Sequence, residues 1–285
     1  MSKKLIILDD IKNLDKFINI CDGIIVGIKD LSVNLPNYFS LEEIDLIIEK
    51  LNQKEIFLSI NKNMHNKDLP LLKETFEKLK GKHIDGIIFY DIALININKE
   101  YNYNLVWNQE HMTTNYNTIN YWYEHGAKSC YISSELSKEE IIQIKNNTKS
   151  KILMNALGYI PMFTSKRPLV KNYLEKFNLK DNSNINYMEK ENKTYPIVDN
   201  KLTTVYSSKI LNICNDVKEL NNIDYFVFNP FNINTDKFIE CVNLFDDENN
   251  FQKINMILDY NTDTGFMYKE TIYKVRDKIW KYQNY

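Results

Sequence analysis

The feature that most constrains this chain is an alternation. Short runs of β-branched and aromatic residues recur along it, separated by stretches with apolar residues at helical spacing. Strands that alternate with helices imply βαβ units and a parallel sheet. The stretch from Leu105 to Tyr159 shows the pattern well. Apolar runs lie at Leu105–Trp107, Cys130–Ile132 and Ile152–Met154, with helical patterns at Thr118–His125 and Lys138–Asn146 between them. The same rhythm gives strands at Leu5–Leu8, Gly23–Ile28, Ile56–Ile60, Gly86–Phe89 and Tyr225–Phe228. That makes about eight strands, the number that closes a TIM-type barrel. The fold class read from the sequence is therefore α/β, a (β/α)8 barrel.

Helix starts carry their own chemistry. Ser40 with Glu43, and Ser137 with Glu140, have the spacing of capping boxes. Asp68 is placed to cap a helix with Pro70 in its first turn, and Lys237–Leu244 reads as a helix after the last strand. An open doubly wound sheet would carry a glycine-rich phosphate turn after its first strand, and here that turn is LDDIKN. The GxxxxGK[ST], HExxH and GxSxG motifs are absent.

A long excursion, 160–223, interrupts the alternation between the seventh and eighth strands. It divides the chain into a barrel domain (1–159 and 224–285) and an inserted lid-like subdomain. Lys166, Arg167, Lys171, Lys176 and Lys180 make the insertion locally basic, interleaved with Phe163, Tyr173 and Phe177. Such a surface can hold an RNA backbone and stack a base, with Lys166, Lys171 and Lys176 as the phosphate contacts. DNSNINYMEKENK reads as a polar loop, and TYPIVDNKLTTVYSS as a hairpin turning at Asp199–Asn200. KILNICNDVKEL reads as a helix capped by Ser208.

Composition bounds the rest. The 285 residues carry a formal net charge of −2, so no global field draws the chain to nucleic acid or anionic lipid. No run approaches the roughly 18 apolar residues of a membrane span. The N-terminal apolar run stops at Asp9 and Asp10, too soon for a signal peptide. A cytoplasmic protein is expected. The 4 cysteines, Cys21, Cys130, Cys214 and Cys241, form no CxxC pair and read as buried thiols.

Parallel α/β folds place their sites at the carboxyl ends of strands. Here those ends carry Asn61, Asn63, Asp91, Asn108, Gln109, Glu135, Asn155 and Asn229. Amides read hydrogen-bonding edges and transfer protons poorly. This favours recognition of a polar ligand such as a base or a dicarboxylate. Glu135 is the candidate general acid/base, and Arg167 a candidate clamp for a carboxylate or phosphate. Ser133 and Ser134 are nucleophile candidates by position alone. His65 and His111, with Glu110 or Glu135, lie at the mouth without a metal-binding spacing, and no metal is expected.

The block NYNTINYWYEHGAKSCYISSELSKEEI (Asn115–Ile141) resembles the signature of the collagenase-like peptidase U32 family. Later blocks follow in the family's order. They are Asn155 with Gly158, Ser165 with Arg167, Tyr206-Ser207-Ser208, and Thr264-Gly265-Phe266. The resemblance covers essentially the whole chain and is strongest from Asn108 to Arg167. It implies a TIM-barrel-like domain with an insertion, and adds Ser165, Tyr206 and Ser207 to the substrate-binding candidates Asn61, Asn108, Gln109, Asn155 and Arg167. Better-understood relatives hydroxylate RNA bases or quinone precursors. Some form 5-hydroxyuridine at the tRNA wobble position, using prephenate. Many hold a four-iron cluster on four clustered cysteines. This chain departs from that pattern, with no cysteine between Cys130 and Cys214, so no cluster is expected. It is similar to the short, cysteine-poor members that look like one of a pair of paralogues. The expected function is tRNA modification, with tRNA and a paralogous subunit as partners and prephenate as a candidate co-substrate. The alternatives are a collagenase-like peptidase and a non-catalytic paralogue that scaffolds an active partner.

Overall fold

The computed structural model describes residues 2–51, 53–180, 183–200 and 202–269. Seven strands follow the expected runs: β1 (Lys3–Ile7), β2 (Gly23–Gly27), β3 (Glu55–Ile60), β4 (Gly86–Phe89), β5 (Leu105–Trp107), β6 (Ser129–Tyr131) and β7 (Lys151–Gly158). Each pairs in parallel with the next. After the insertion comes an eighth barrel strand at Tyr225–Phe228. It pairs in parallel with β7 on one side and β1 on the other, and so closes the barrel.

Period-2 alternation sorts the strand side chains. Leu5, Ile7, Ile25, Phe57, Ile88, Val106, Leu153, Tyr225 and Val227 form a separate apolar cluster, the barrel interior. Their neighbours Ile6, Ile24, Val26, Leu58, Ile87 and Phe89 belong to the larger core beneath the helices. Those helices are α1 (Leu14–Ile18), α2 (Leu41–Leu51), α3 (Leu69–Leu79), α4 (Ala93–Asn98), α5 (Tyr116–Glu124) and α6 (Lys138–Asn146). On α2 the buried positions are Ile44, Ile47 and Leu51, one stripe at helical spacing. Burying each such side chain contributes about 2 kcal/mol.

Both expected capping boxes are present. The Ser137 N–H donates to Glu140 Oε2 at 2.8 Å and the Glu140 N–H to Ser137 Oγ at 3.3 Å. Ser40 and Glu43 do the same at 2.8 and 3.2 Å. Asp68 departs from its expected role. Its carboxylate accepts the His65 N–H at 2.9 Å and closes a short 3-10 turn ahead of α3, without capping α3 itself.

The insertion contains β8 (Pro161–Ser165), α7 (Leu169–Lys176), β9 (Asn186–Lys190), β10 (Lys193–Asn200), β11 (Leu202–Tyr206) and β12 (Ile210–Asn212). Four of these strands form an antiparallel sheet in the order β8-β11-β10-β9. The expected hairpin is β10–β11, in which Asn200 pairs with Leu202 and Asp199 with Thr203. Two expectations fail here. Within the expected polar loop, Asn186–Lys190 is a strand, because β10 offers it a free edge; Asp181 and Asn182 lie outside the described residues. The expected helix KILNICNDVKEL is strand β12 followed by a 3-10 turn at Cys214–Asp216. β12 pairs antiparallel with the far end of β7. That partner outcompetes a helical pattern whose Ile210, Leu211, Ile213 and Cys214 are all buried. It also explains why β7 runs four residues past the expected Met154.

The closing barrel strand is β13, followed by α8 (Thr235–Leu244), α9 (Phe251–Ile257) and β14 (Thr262–Asp263), which pairs in parallel with β12. Gly158 fits β7 against the end of β13. Its φ is +128°, and a Cβ there would lie 2.3 Å from the Asn229 carbonyl oxygen. Among the described residues no helix is long and apolar enough to cross a membrane.

Candidate functional site

A cavity of about 280 Å³ opens at the carboxyl end of the barrel. Its apolar floor comes from the barrel interior, through Ile7, Ile25 and Ile88. Asn34, Asn61, Asn108, Glu110, His111, Ser133, Ser134, Glu135, Asn155 and Asn229 line it from the strand ends and following loops. The insertion adds Ile160, Pro161, Met162, Ser207 and Lys209; the segment after β14 adds Gly265, Phe266 and Lys269.

Hydrogen bonds divide the lining amides into two groups. Asn61 accepts from the Val33 N–H and donates to the Val33 carbonyl, both at 2.9 Å, so it fastens the loop after β2. Asn229 donates to the Tyr159 carbonyl at 2.9 Å and accepts the Phe231 N–H at 3.1 Å. Asn108 accepts the Glu110 N–H at 3.2 Å. These three build the rim. Asn155 belongs to a side-chain chain instead. The Tyr131 hydroxyl donates to its Oδ1 at 2.5 Å, and its Nδ2 donates to Ser134 Oγ at 2.7 Å. Burial, with the nearby charge of Glu110 adding, pushes the Tyr131 phenol well above its ordinary range, so it stays a proton donor.

Three carboxylates line the cavity; that of Asp263 accepts the Gly265 N–H at 2.9 Å, and the other two are Glu135 and Glu110. Glu135 pairs with His111 at 3.0 Å; the side chains are 48% and 52% exposed, so the pair is wet and adaptable. Glu110 is half-buried, and its Oε1 accepts from Asn34 Nδ2 at 2.8 Å. Asn34 Oδ1 also takes the hydroxyls of Thr164 on β8 and Thr204 on β11. One amide thus ties the inserted sheet to the barrel and to a cavity carboxylate.

The structure brings Asn61, Asn108, Glu135, Asn155 and Ser207 together around one cavity. It places Gln109, Ser165, Arg167 and Tyr206 outside the lining. Gln109 opens a 3-10 turn, and Ser165 accepts the Arg167 N–H at 3.1 Å in the turn before α7, with Arg167 exposed. Tyr206 is 2% exposed and stacks on Phe231 at 3.8 Å, which makes it a packing residue. Asp91 likewise serves the scaffold, accepting the Met64 and Ala93 N–H groups at 2.9 Å each. Lys166, Lys171 and Lys176 are exposed on the insertion beside the exposed rings of Phe163, Tyr173 and Phe177. The Lys166 ammonium meets His65 Nε2.

Asn34, Tyr131, Lys209 and Lys269 escape the sequence reading as site residues. Asn34 left one signal: an asparagine in a Pro-containing turn suits a left-handed backbone, and its φ is 61°. Tyr131 hid inside an apolar run, and the two lysines reach the cavity only through tertiary placement.

Among the described residues no three His, Cys, Asp or Glu side chains gather as a metal-binding group. The cysteines do not fit an iron–sulfur cluster. Cys21, Cys130, Cys214 and Cys241 are all buried in the core, and none lines the cavity. Burial pushes the thiols of Cys21, Cys214 and Cys241 up to about 12 and that of Cys130 higher still, the opposite of a ligating or nucleophilic thiolate.

Comparison with known proteins agrees with this architecture. The solved U32 peptidase Mk0906 superimposes with a TM-score of 0.53 at 14% identity, covering 80% of this chain and 92% of its own. The tRNA hydroxylation protein P2 of Bacillus subtilis (strain 168) is 28% identical over 283 residues, spanning 87% of this chain and 91% of that protein. The model of peptidase family U32 matches residues 10–246. With the barrel, its insertion and that match in place, the chain belongs to peptidase family U32.

Proposed function

We propose that this chain serves RNA modification, as one subunit of a tRNA wobble-uridine 5-hydroxylation system that works with a paralogous chain. The observation that carries the reading is its likeness to the tRNA hydroxylation protein P2, which runs along nearly the full length of both chains. The cavity supports it: apolar walls suit a planar ring, and Asn155 and Ser134 suit a base edge. The exposed Lys166, Lys171 and Lys176, with the exposed rings of Phe163, Tyr173 and Phe177, offer phosphate contacts and stacking faces on the insertion. Glu135, paired with His111, is the general acid/base of the reading.

Replacing C5–H by C5–OH is a two-electron oxidation. The oxygen and the oxidising equivalents have to come from a co-substrate or a redox partner, and the core thiols offer no cluster ligands of their own. Lys209 and Lys269 at the rim suit a dicarboxylate co-substrate such as prephenate. Hydrolysis of peptides fits less well. His111 is engaged by Glu135, while Ser133 and Ser134 accept hydrogen bonds from the Glu135 N–H and Asn155. An activated serine nucleophile needs a base on its own proton.

Mass spectrometry of tRNA nucleosides from cells with and without the gene tests the reading. The expected result is loss of 5-hydroxyuridine or its derivatives, restored by wild type and not by Glu135→Ala. Unchanged tRNA would remove it.

A further inference from the structure

Asn34 and Glu110 both hold left-handed backbones, at φ 61° and 45°. Asparagine tolerates that region, whereas glutamate stays there only when its surroundings hold it. For this pair the surroundings are specific. The Glu110 N–H donates to Asn108 Oδ1 at 3.2 Å, and Asn34 Nδ2 holds Glu110 Oε1 at 2.8 Å. Thr164 and Thr204 hold Asn34 in turn. Among the described residues Glu110 Oε2 has no protein donor, and Glu110 lines the cavity. Its charge acts on the Tyr131 phenol, so it sits near the start of the Tyr131–Asn155–Ser134 chain.

That chain has a direction. Tyr131 is part-buried with one proton to give, and gives it to Asn155 Oδ1. The amide is thereby oriented with Nδ2 toward Ser134 Oγ. The Ser134 oxygen is occupied as an acceptor, and no protein acceptor takes its own proton among the described residues. Its hydroxyl is left to donate to whatever enters the cavity. A fixed acceptor and a fixed donor therefore line one apolar-walled space.

We propose that Glu110 and Ser134 form the specificity edge of this cavity, Glu110 accepting an N–H and Ser134 donating to a neighbouring C=O of a lactam or imide ring, with Asn34 as the residue that positions Glu110. The inference rests on the reading of the cavity as a nucleobase site. A ring alkylated at that nitrogen presents a methyl group to a half-buried carboxylate and leaves it unpaired, the arrangement that rejects an analogue most strongly.

Binding of uridine 5′-monophosphate and of its N3-methyl derivative to the purified full chain, by calorimetry or ligand-observed NMR, tests it. Wild type should bind the unmethylated nucleotide about tenfold tighter or better. Glu110→Gln keeps the shape and the bond to Asn34 but loses the charge, and should narrow the ratio to about threefold or less. Asn34→Gly keeps the left-handed backbone, releases Glu110, and should narrow the ratio similarly while circular dichroism stays unchanged. Equal binding of the two nucleotides by wild type, or no binding of either, overturns the inference. If wild type shows equal binding while the gene deletion still abolishes 5-hydroxyuridine, the edge fails and the modification reading survives. If tRNA is unchanged by deletion while the ratio holds and collapses in Glu110→Gln, the edge stands and the reading fails.

Discussion

The carboxamide of Asn34 donates to the carboxylate of Glu110 at 2.8 Å, across 76 residues of chain. The same amide oxygen receives Thr164 and Thr204 from the inserted sheet. A residue 8% exposed in the loop after β2 is therefore the joint between barrel, insertion and cavity.

Asn34→Ala should cost about 2–4 kcal/mol of unfolding free energy, from lost buried hydrogen bonds and from alanine at φ 61°. Asn34→Gly removes the same bonds but tolerates the backbone, and should cost about 1 kcal/mol less. Urea denaturation of the two variants separates the contributions. Equal losses would show that the left-handed backbone costs nothing here.

The buried thiols make stability fall in alkali. Burial raises Cys21, Cys214 and Cys241 to about 12 from an ordinary 9.0, so each holds its proton more tightly folded than unfolded. The unfolded chain loses these protons first. Their contribution is thus full below pH 9.0 and is lost as pH rises from there toward about 12. Each thiol adds up to about 1.4 kcal/mol per pH unit to the slope. Cys241→Ala should flatten the alkaline limb of a stability-against-pH curve by one such increment; an unchanged slope would count against the assignment.

Lys138 neutralises a buried acid. Its ammonium lies 3.2 Å from Asp216, which is 1% exposed, and 2.8 Å from Glu219. The Tyr268 hydroxyl also donates to Asp216 at 2.7 Å, and the Lys138 N–H donates to the Met267 carbonyl at 3.1 Å, so the cluster pins the segment that carries Phe266 and Lys269 to the cavity. Lys138→Met should cost roughly 3 kcal/mol by leaving Asp216 charged and underpaired. Adding Asp216→Asn should recover part of that loss, because the uncompensated charge goes with it. A double variant less stable than the single one would contradict this account.

If the insertion grips RNA through phosphates, its lysines set the salt dependence. Replacing Lys166, Lys171 and Lys176 together by alanine should weaken tRNA binding and reduce the slope of log K against log salt by about 2, at roughly 0.7 per single-strand phosphate contact. Filter binding over a salt series reads this directly. Weaker binding with an unchanged slope would place the phosphate contacts elsewhere.

Much of the architecture was legible in the chain. Alternation of apolar runs with helical stripes specified eight parallel strands, and Ser40/Glu43 and Ser137/Glu140 specified two helix starts, because periodicity and capping act over a few residues. Strand-end positions also placed Asn61, Asn108, Glu135 and Asn155 at the mouth, since parallel topology fixes which ends gather. Tertiary structure decided the rest. Ile210–Asn212 became a strand because β7 offered it an edge, which no local pattern records. Asn61 proved to be spent on Val33 while Asn155 remained part of a directed relay, a difference set by partners distant in sequence. Asn34 and Glu110 met across 76 residues, and Lys209 and Lys269 reached one cavity from separate segments. Local sequence determines what each segment can become; which side chains retain an unmet hydrogen bond depends on what folding brings against them.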